Sequence, residues 1–199
     1  MKPFHPIKRL IRTVKEGWPL KEDHAGLEEL YETYFNDVYH YLLYFTNNQS
    51  EAEDLTQDTF MRVFKSYHSF NHHSSPKTWI ISIARRTAID HYRKRKLISL
   101  LPDVILNLRR SEEGIPDEEM EKNEEWEVVQ QALLTLKPDY RNVVILRGLR
   151  EYSVKETAAI LECKPSKVKV DYHRAIKLLK KQLGHSIGEA VLEHERKIQ

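Results

Sequence analysis

AEDLTQDTFMRVFK, residues 52–65, is followed after a short interruption by TWIISIARRTAIDHYRKRK, residues 78–96. In the first stretch Leu55, Phe60, Val63 and Phe64, continued by Tyr67, recur at helical spacing, which leaves Asp54, Gln57, Asp58, Met61 and Lys65 on another face. In the second, Ile80, Ile83, Ala84, Thr87 and Ala88 form an inward stripe and turn Arg85, Arg86, Asp90 and Arg93 toward solvent. Two amphipathic helices are predicted, one with an acidic outer face and one with a basic, aromatic-bearing face. The first suits a protein partner, the second nucleic acid.

Between them, NHHSSP (residues 71–76) breaks the periodicity, because Pro76 lacks an N–H and disfavours helical geometry at Ser75. A loop is therefore expected between Phe70 and Lys77. His68, His72 and His73 raise the question of a metal, yet their spacing matches no ligand pattern with a supporting cysteine pair, and a polar loop is the simpler reading. Upstream, LEELYETYFNDVYHYLLYF (residues 27–45) is a further helix ending at Asn47 and Asn48, and Ser50 with Glu53 has the pattern of a capping box for the next one.

Downstream, residues 97–127 change character twice. LISLLPDVILNL is apolar but interrupted by Pro102, and SEEGIPDEEMEKNEEWE is acidic, so the whole reads as a linker. From Val128 three helices follow, at about 138–149, 153–161 and 165–183, with Ser153 and Glu156 as a capping box and Pro165 in the first turn of the last. Two helices joined by a short break, the second strongly basic, make a helix-turn-helix. Val168, Ala175 and Leu178 or Leu179 are expected to face its core.

Charge follows the same division. The chain of 199 residues carries +2 overall, but residues 85–96 carry +5, residues 164–181 carry +6 and residues 111–127 carry −8. Two anion-binding surfaces flank an acidic connector. The single cysteine, Cys163, cannot form an internal disulfide, and no apolar run approaches a membrane span or signal-peptide core, so a soluble, cytoplasmic protein is expected. The fold class is all-α: two small helical domains joined by a flexible linker.

AEDLTQDTFMRVFKSYHSF and TWIISIARRTAIDHYRKRK together resemble the second conserved region of bacterial RNA polymerase sigma factors, most of all the extracytoplasmic-function group, and residues 128–183 resemble the fourth. The resemblance covers roughly residues 27–183. It implies a non-enzymatic initiation factor that binds core RNA polymerase, recognises minus-10 and minus-35 promoter elements and promotes melting. Partners so implied are core polymerase, promoter DNA and a membrane-anchored anti-sigma protein, with no cofactor and no small-molecule substrate.

Residue by residue, Asp54, Gln57, Asp58 and Met61 are implied to meet the clamp helices of the largest polymerase subunit. The bare alternative is that the two aspartates only favour the helix dipole. Phe70, Asn71, His72 and His73 match the loop that captures an unpaired minus-10 base. Trp79, Arg85, Arg86, Asp90 and Arg93 match the helix at the upstream edge of that element, with core packing as the other reading of Trp79 and a solvated face as that of the charges. In the helix-turn-helix, Lys164, Ser166, Lys167, Lys169, Asp171, Tyr172, Arg174 and Lys177 are the candidates for minus-35 DNA.

The turn LECKPS departs from the family pattern, with Glu162 and Ser166 at positions often held by glycine and Asp171 where a basic or polar residue is common. An acid at 171 repels phosphate but can accept from cytosine N4. Outside the resemblance, Phe4, Ile7, Ile11, Val14 and Trp18 follow helical spacing among basic residues in the N-terminal extension 1–26, to be weighed against a frayed tail, and residues 184–199 carry no signal. Two other classes compete. An autonomous helix-turn-helix regulator leaves the Asp54 face without a task, and a metal-dependent hydrolase has neither ligand spacing nor a nucleophile arrangement.

Overall fold

The structure, a computed structural model, describes residues 24–99 and 124–183. The regular elements among them are helical: α1 (His24–Thr46), α2 (Gln49–Ser66), a 3-10 turn (Tyr67–Ser69), α3 (Pro76–Ile98), α4 (Glu124–Thr135), α5 (Pro138–Val144) continued by a π turn (Ile145–Leu149), α6 (Val154–Leu161) and α7 (Pro165–Leu183). Both ends of the expected 97–127 linker are thus helical. Its middle, the N-terminal Phe4 to Trp18 pattern and the tail 184–199 lie outside the described residues.

Helix α1 buries Leu27, Tyr31, Val38, Tyr41, Leu42 and Phe45 along one continuous stripe. It stops because Asn47 enters the left-handed region at φ 51°, where its N–H still reaches the Leu43 carbonyl at 2.8 Å. Asn48 then caps α2, its side chain accepting from Glu51 N at 2.9 Å. This corrects the expectation of a Ser50–Glu53 capping box: Asn48 caps the helix and Ser50 lies inside it. On α2, Leu55, Phe60, Val63 and Phe64 are buried as expected, and the hydroxyls of Thr56 and Thr59 donate to carbonyls one turn back, so neither is left unpaired in the core. Ser75 caps α3 by accepting from Thr78 N, and Pro76 occupies the first turn, where its missing N–H costs nothing. The inward stripe Ile80, Ile83, Ala84, Thr87 and Ala88 is buried throughout, and α1, α2 and α3 pack as a three-helix domain.

The second domain closes on Leu133, Leu136, Val143, Val144, Val168, Ala175, Ile176 and Leu179, while Leu178 is exposed. The capping box at α6 forms in both directions: Ser153 Oγ accepts from Glu156 N at 3.2 Å, and the Glu156 carboxylate accepts from Ser153 N at 2.8 Å. These two bonds hold the Glu156 carboxyl below the usual carboxylate range. Ser153→Ala is expected to cost about 1 kcal/mol. Since the folded pKa of Glu156 is depressed, its share of stability is present above the unfolded value of roughly 4.3 and lost as pH falls through the lowered one. Urea melts should therefore show a gap between wild type and variant at pH 7 that narrows below about pH 4. A gap that does not change with pH would remove Glu156 from the cap.

The two domains pack on one another. Ile145, Leu146, Tyr152 and Ile160 of the second join the apolar cluster of the first. A buried hydrogen bond runs from Tyr41 Oη to Asn142 Oδ1 at 2.7 Å, and Asp37 accepts ion pairs from Lys77, at 3.0 Å, and from Arg150. Arg141, 5% exposed, is the main polar tie. Its guanidinium donates to the carbonyls of Leu133 (3.0 Å), Leu134 (2.7 Å) and Leu136 (3.3 Å) at the end of α4 and, across the domain boundary, to that of Phe45 (2.7 Å) at the end of α1. It adds donors to carbonyls at two helix C-termini, where a positive charge is favoured by both dipoles, although Leu133 O also accepts from Leu136 N at 3.1 Å. Burial lowers its pKa, opposed by the neighbouring Tyr92 and Tyr41.

Candidate nucleic-acid and partner interfaces

On α2, Asp54, Gln57 and Asp58 are exposed, while Met61 is half-buried against the domain core. Gln57 and Asp58 lie one helical turn beyond Asp54, so the strip presents two carboxylates and an amide to a single partner surface. Neither aspartate forms an ion pair among the described residues, which leaves both able to accept from arginines of another chain. Glu51 at the start of the same helix is already engaged, by Arg95 and by His91 at 3.3 Å.

The expected loop spans Phe70 to Ser75. Phe70 stacks on Trp79 with ring centroids 4.7 Å apart and meets His72 at 4.5 Å. His72 has φ 58°, and Asn71 Oδ1 accepts from His73 N at 3.2 Å, so a local turn sets the direction of the imidazoles. Trp79 is half-buried, which reconciles the two readings of it: one part packs on the core, and the ring also carries Phe70. Asn71, His72 and His73 are exposed beside this aromatic cluster. The result is a small flat apolar surface at the N-terminus of α3 rimmed by polar groups.

Further along α3 the cations are not equivalent. Arg93 is exposed, Arg86 is paired with Glu162 of the helix-turn-helix, and Asp90 accepts from Arg62 at 3.1 Å. Arg85, expected toward solvent, is half-buried, and its Nε makes no hydrogen bond among the described residues. Of the four residues expected on the outer face only Arg85 departs, because the sequence alone does not show the second domain packed against that helix.

In the helix-turn-helix, α6 ends in a Schellman motif: Cys163 N donates to Ala158 O at 3.0 Å and Glu162 N to Ala159 O at 3.3 Å, with Glu162 left-handed at φ 54°. The unusual glutamate thus stands where the backbone favours glycine, at a cost of about 1 kcal/mol. On α7, Lys164 in the turn and Ser166, Lys167, Lys169, Arg174 and Lys177 in the helix are exposed. Tyr172 is a correction to the sequence reading: it is buried, 7% exposed, with Arg147 over its ring and its hydroxyl against Gly148, where an added Cβ would lie 3.3 Å away. The aromatic ring takes the inward position that helical spacing from Val168 and Ala175 provides. Asp171 is paired with Lys167 one turn back, and that carboxylate holds the Lys167 ammonium above its usual range.

Several contacts that organise these surfaces have weak sequence signals. Arg141 and Asn142 lie in helical register with Val144 and Ile145, so polar residues on an apolar stripe were the available clue. Asp37, Arg150 and Tyr41 gave none, since each becomes meaningful only through a partner about a hundred residues away in the chain.

Comparison with known proteins adds to this geometry. The sigma-70 region 2 family matches residues 30–98, and the sigma-70 region 4 family matches residues 126–179. The ECF RNA polymerase sigma factor SigX of Bacillus subtilis is 39% identical over 158 residues, covering 77% of this chain and 81% of that protein. SigM of the same organism is 32% identical over 164 residues, covering 82% and 98%. Among solved structures, the sigma factor RpoE of Bartonella quintana, in complex with the anti-sigma factor NepR, superimposes with a TM-score of 0.65 at 24% identity, over 80% of this chain and 97% of that one. CnrH, in complex with the cytosolic domain of CnrY, gives 0.60 at 19% identity, over 88% and 96%. These two show the same fold. By its two matched regions and its curated relatives, the chain belongs to the extracytoplasmic-function group of RNA polymerase sigma factors, the initiation factors with which that enzyme recognises promoters.

Proposed function

We propose that the Asp54, Gln57 and Asp58 strip, with Met61 at its base, docks core polymerase while the rest of the chain reads two promoter elements. Phe70, Asn71, His72, His73 and Trp79 take up an extruded minus-10 base, and Arg85, Arg86 and Arg93 track the adjacent phosphates. Stacking on such a surface contributes roughly 1–3 kcal/mol per base, enough to offset part of the cost of opening the duplex. Asp90 positions Arg62 rather than touching DNA. Exposed Lys164, Ser166, Lys167, Lys169, Arg174 and Lys177 contact the minus-35 element, and Asp171 orients Lys167 toward it. The factor catalyses no covalent step, works in the cytoplasm, and is held in check by an anti-sigma protein anchored in the membrane. In support of an inhibitory partner, RpoE, which shares this fold, was solved with the anti-sigma factor NepR, and CnrH with the cytosolic domain of CnrY.

The observation that carries this reading is the joining of an exposed acidic strip and an aromatic loop in one three-helix domain, with a basic helix-turn-helix in the other. An autonomous regulator needs only the second. Run-off transcription with purified core polymerase separates the two. Initiation is expected with the chain present and not with core alone, and Phe70→Ala should lower it about tenfold, the equivalent of roughly 1.4 kcal/mol of lost stacking. Tight duplex binding by the chain alone, with no association with core, would favour the regulator.

A further inference from the structure

One residue on the outer line of α7 is neither a cation nor a hydrogen-bonding group. Among the described residues, the large apolar side chains exposed on this helix are Val170, 46% exposed, and Leu178. With about 3.6 residues per turn, the buried Val168, Tyr172, Ala175, Ile176 and Leu179 centre on one side of the helix, and Val170 falls opposite them. Ser166 and Arg174, one turn to either side, and Lys177, two turns on, share that line and are exposed. Leu178 lies off it, in the C-terminal half.

Val170 therefore stands at the apex of the surface that a helix in the major groove turns toward base edges, and in the N-terminal half, where such helices come closest to them. Nothing within the fold rewards it. Valine costs roughly 0.5 kcal/mol of helix propensity against alanine, and here its methyl groups gain little burial in return. The neighbouring acid does not compete for the position. Asp171 lies on the flank, its side chain 13% exposed and held by Lys167, so the acceptor that could have met cytosine N4 is engaged within the helix.

Chemistry narrows what Val170 can read. It neither donates nor accepts, so against a G·C edge it would exclude water from the cytosine N4 donor or the guanine acceptors and give them no partner. The thymine C5 methyl is the apolar group that the major groove displays. We propose that Val170 selects a thymine in the minus-35 element by packing its methyl groups on the thymine C5 methyl, with Ser166 and Arg174 fixing the register on either side. This rests on the reading that α7 lies in minus-35 DNA.

The test uses holoenzyme assembled from the full chain and purified core, with duplexes carrying a randomised minus-35 segment selected for binding. Each thymine of the enriched element is then replaced singly by deoxyuridine, which removes only the methyl group. Wild type is expected to lose about fourfold in affinity at one thymine, the equivalent of one buried methyl. Val170→Ala should bring the thymine-to-uracil ratio at that position near one and leave the ratios at the other thymines as they were. Val170→Thr, which keeps one methyl, should fall between. Alanine favours the helix, so the variant keeps its fold. An enriched element without thymine, no loss at any thymine, or a fourfold ratio that Val170→Ala retains would each show that Val170 is not the reader. Those results differ from failure of the minus-35 assignment itself, in which no minus-35 sequence is enriched at all.

Discussion

Arg141→Ala is expected to destabilise the protein by about 3–5 kcal/mol, the range for removing one partner of a buried charged hydrogen-bond network. The native guanidinium donates to four carbonyls, of Leu133, Leu134, Leu136 and Phe45, and lies over the rings of Phe45 and Tyr92 at 5.0 and 5.9 Å. Alanine would remove this donor from all four acceptors, of which Leu133 O keeps the Leu136 N–H at 3.1 Å. A cavity of about 420 Å³ lined by Arg141, Tyr92, His91 and Arg95 lies alongside, and water entering from it would rehydrate some of them. The lower end of the range is therefore favoured. Arg141→Lys keeps the charge but replaces a planar fork by a point ammonium, and should recover less than half of the loss. Urea unfolding followed by circular dichroism tests both, and a loss below about 1 kcal/mol for alanine would mean that the network adds nothing beyond hydration.

Asp54→Arg combined with Asp58→Arg is expected to weaken association with core polymerase at least about a hundredfold, or roughly 2.7 kcal/mol. Both side chains are exposed and unpaired among the described residues, so thermal stability should change by no more than about 0.5 kcal/mol. Reversal is more informative than neutralisation, because it sets like charges against the partner's arginines instead of only removing an attraction. Fluorescence titration with purified core gives the affinity, and the melting curve gives the control. Unchanged affinity with an intact fold would place the polymerase contact elsewhere.

How much of this was legible beforehand varies by element. Stripes such as Ile80, Ile83, Ala84, Thr87 and Ala88 could be read directly, since helical spacing alone decides which side chains share a face. The α6 cap was equally plain, because Ser153 and Glu156 need only each other. Asn48 was harder to read, as it competes with Ser50 two residues on, and the outcome depends on where Asn47 turns the chain. Tyr172 was misplaced because a tyrosine suits either side of a basic amphipathic helix, and the space beside Gly148 that accepts the ring is formed by another element.

Among the candidate sites, the exposed acids on α2 and the cations on α7 were visible in sequence because solvent-facing residues depend little on distant parts of the chain. Arg86 and Asp90 were placed outward correctly, but their pairing with Glu162 and Arg62 was not visible, nor was the half-burial of Arg85.

The sequence by itself determined most of the helices, the cap of α6, the two basic regions and the membership in the sigma family. All of these follow from interactions between residues a few positions apart or from short patterns. Only the tertiary structure decided that Arg141, Tyr41 and Asp37 tie the two domains together and that Glu162 lies on Arg86, because those pairings join residues 76 to 113 positions apart. Local periodicity carries no information about contacts at that separation. They arise only when two finished helical domains bury their remaining apolar faces against each other.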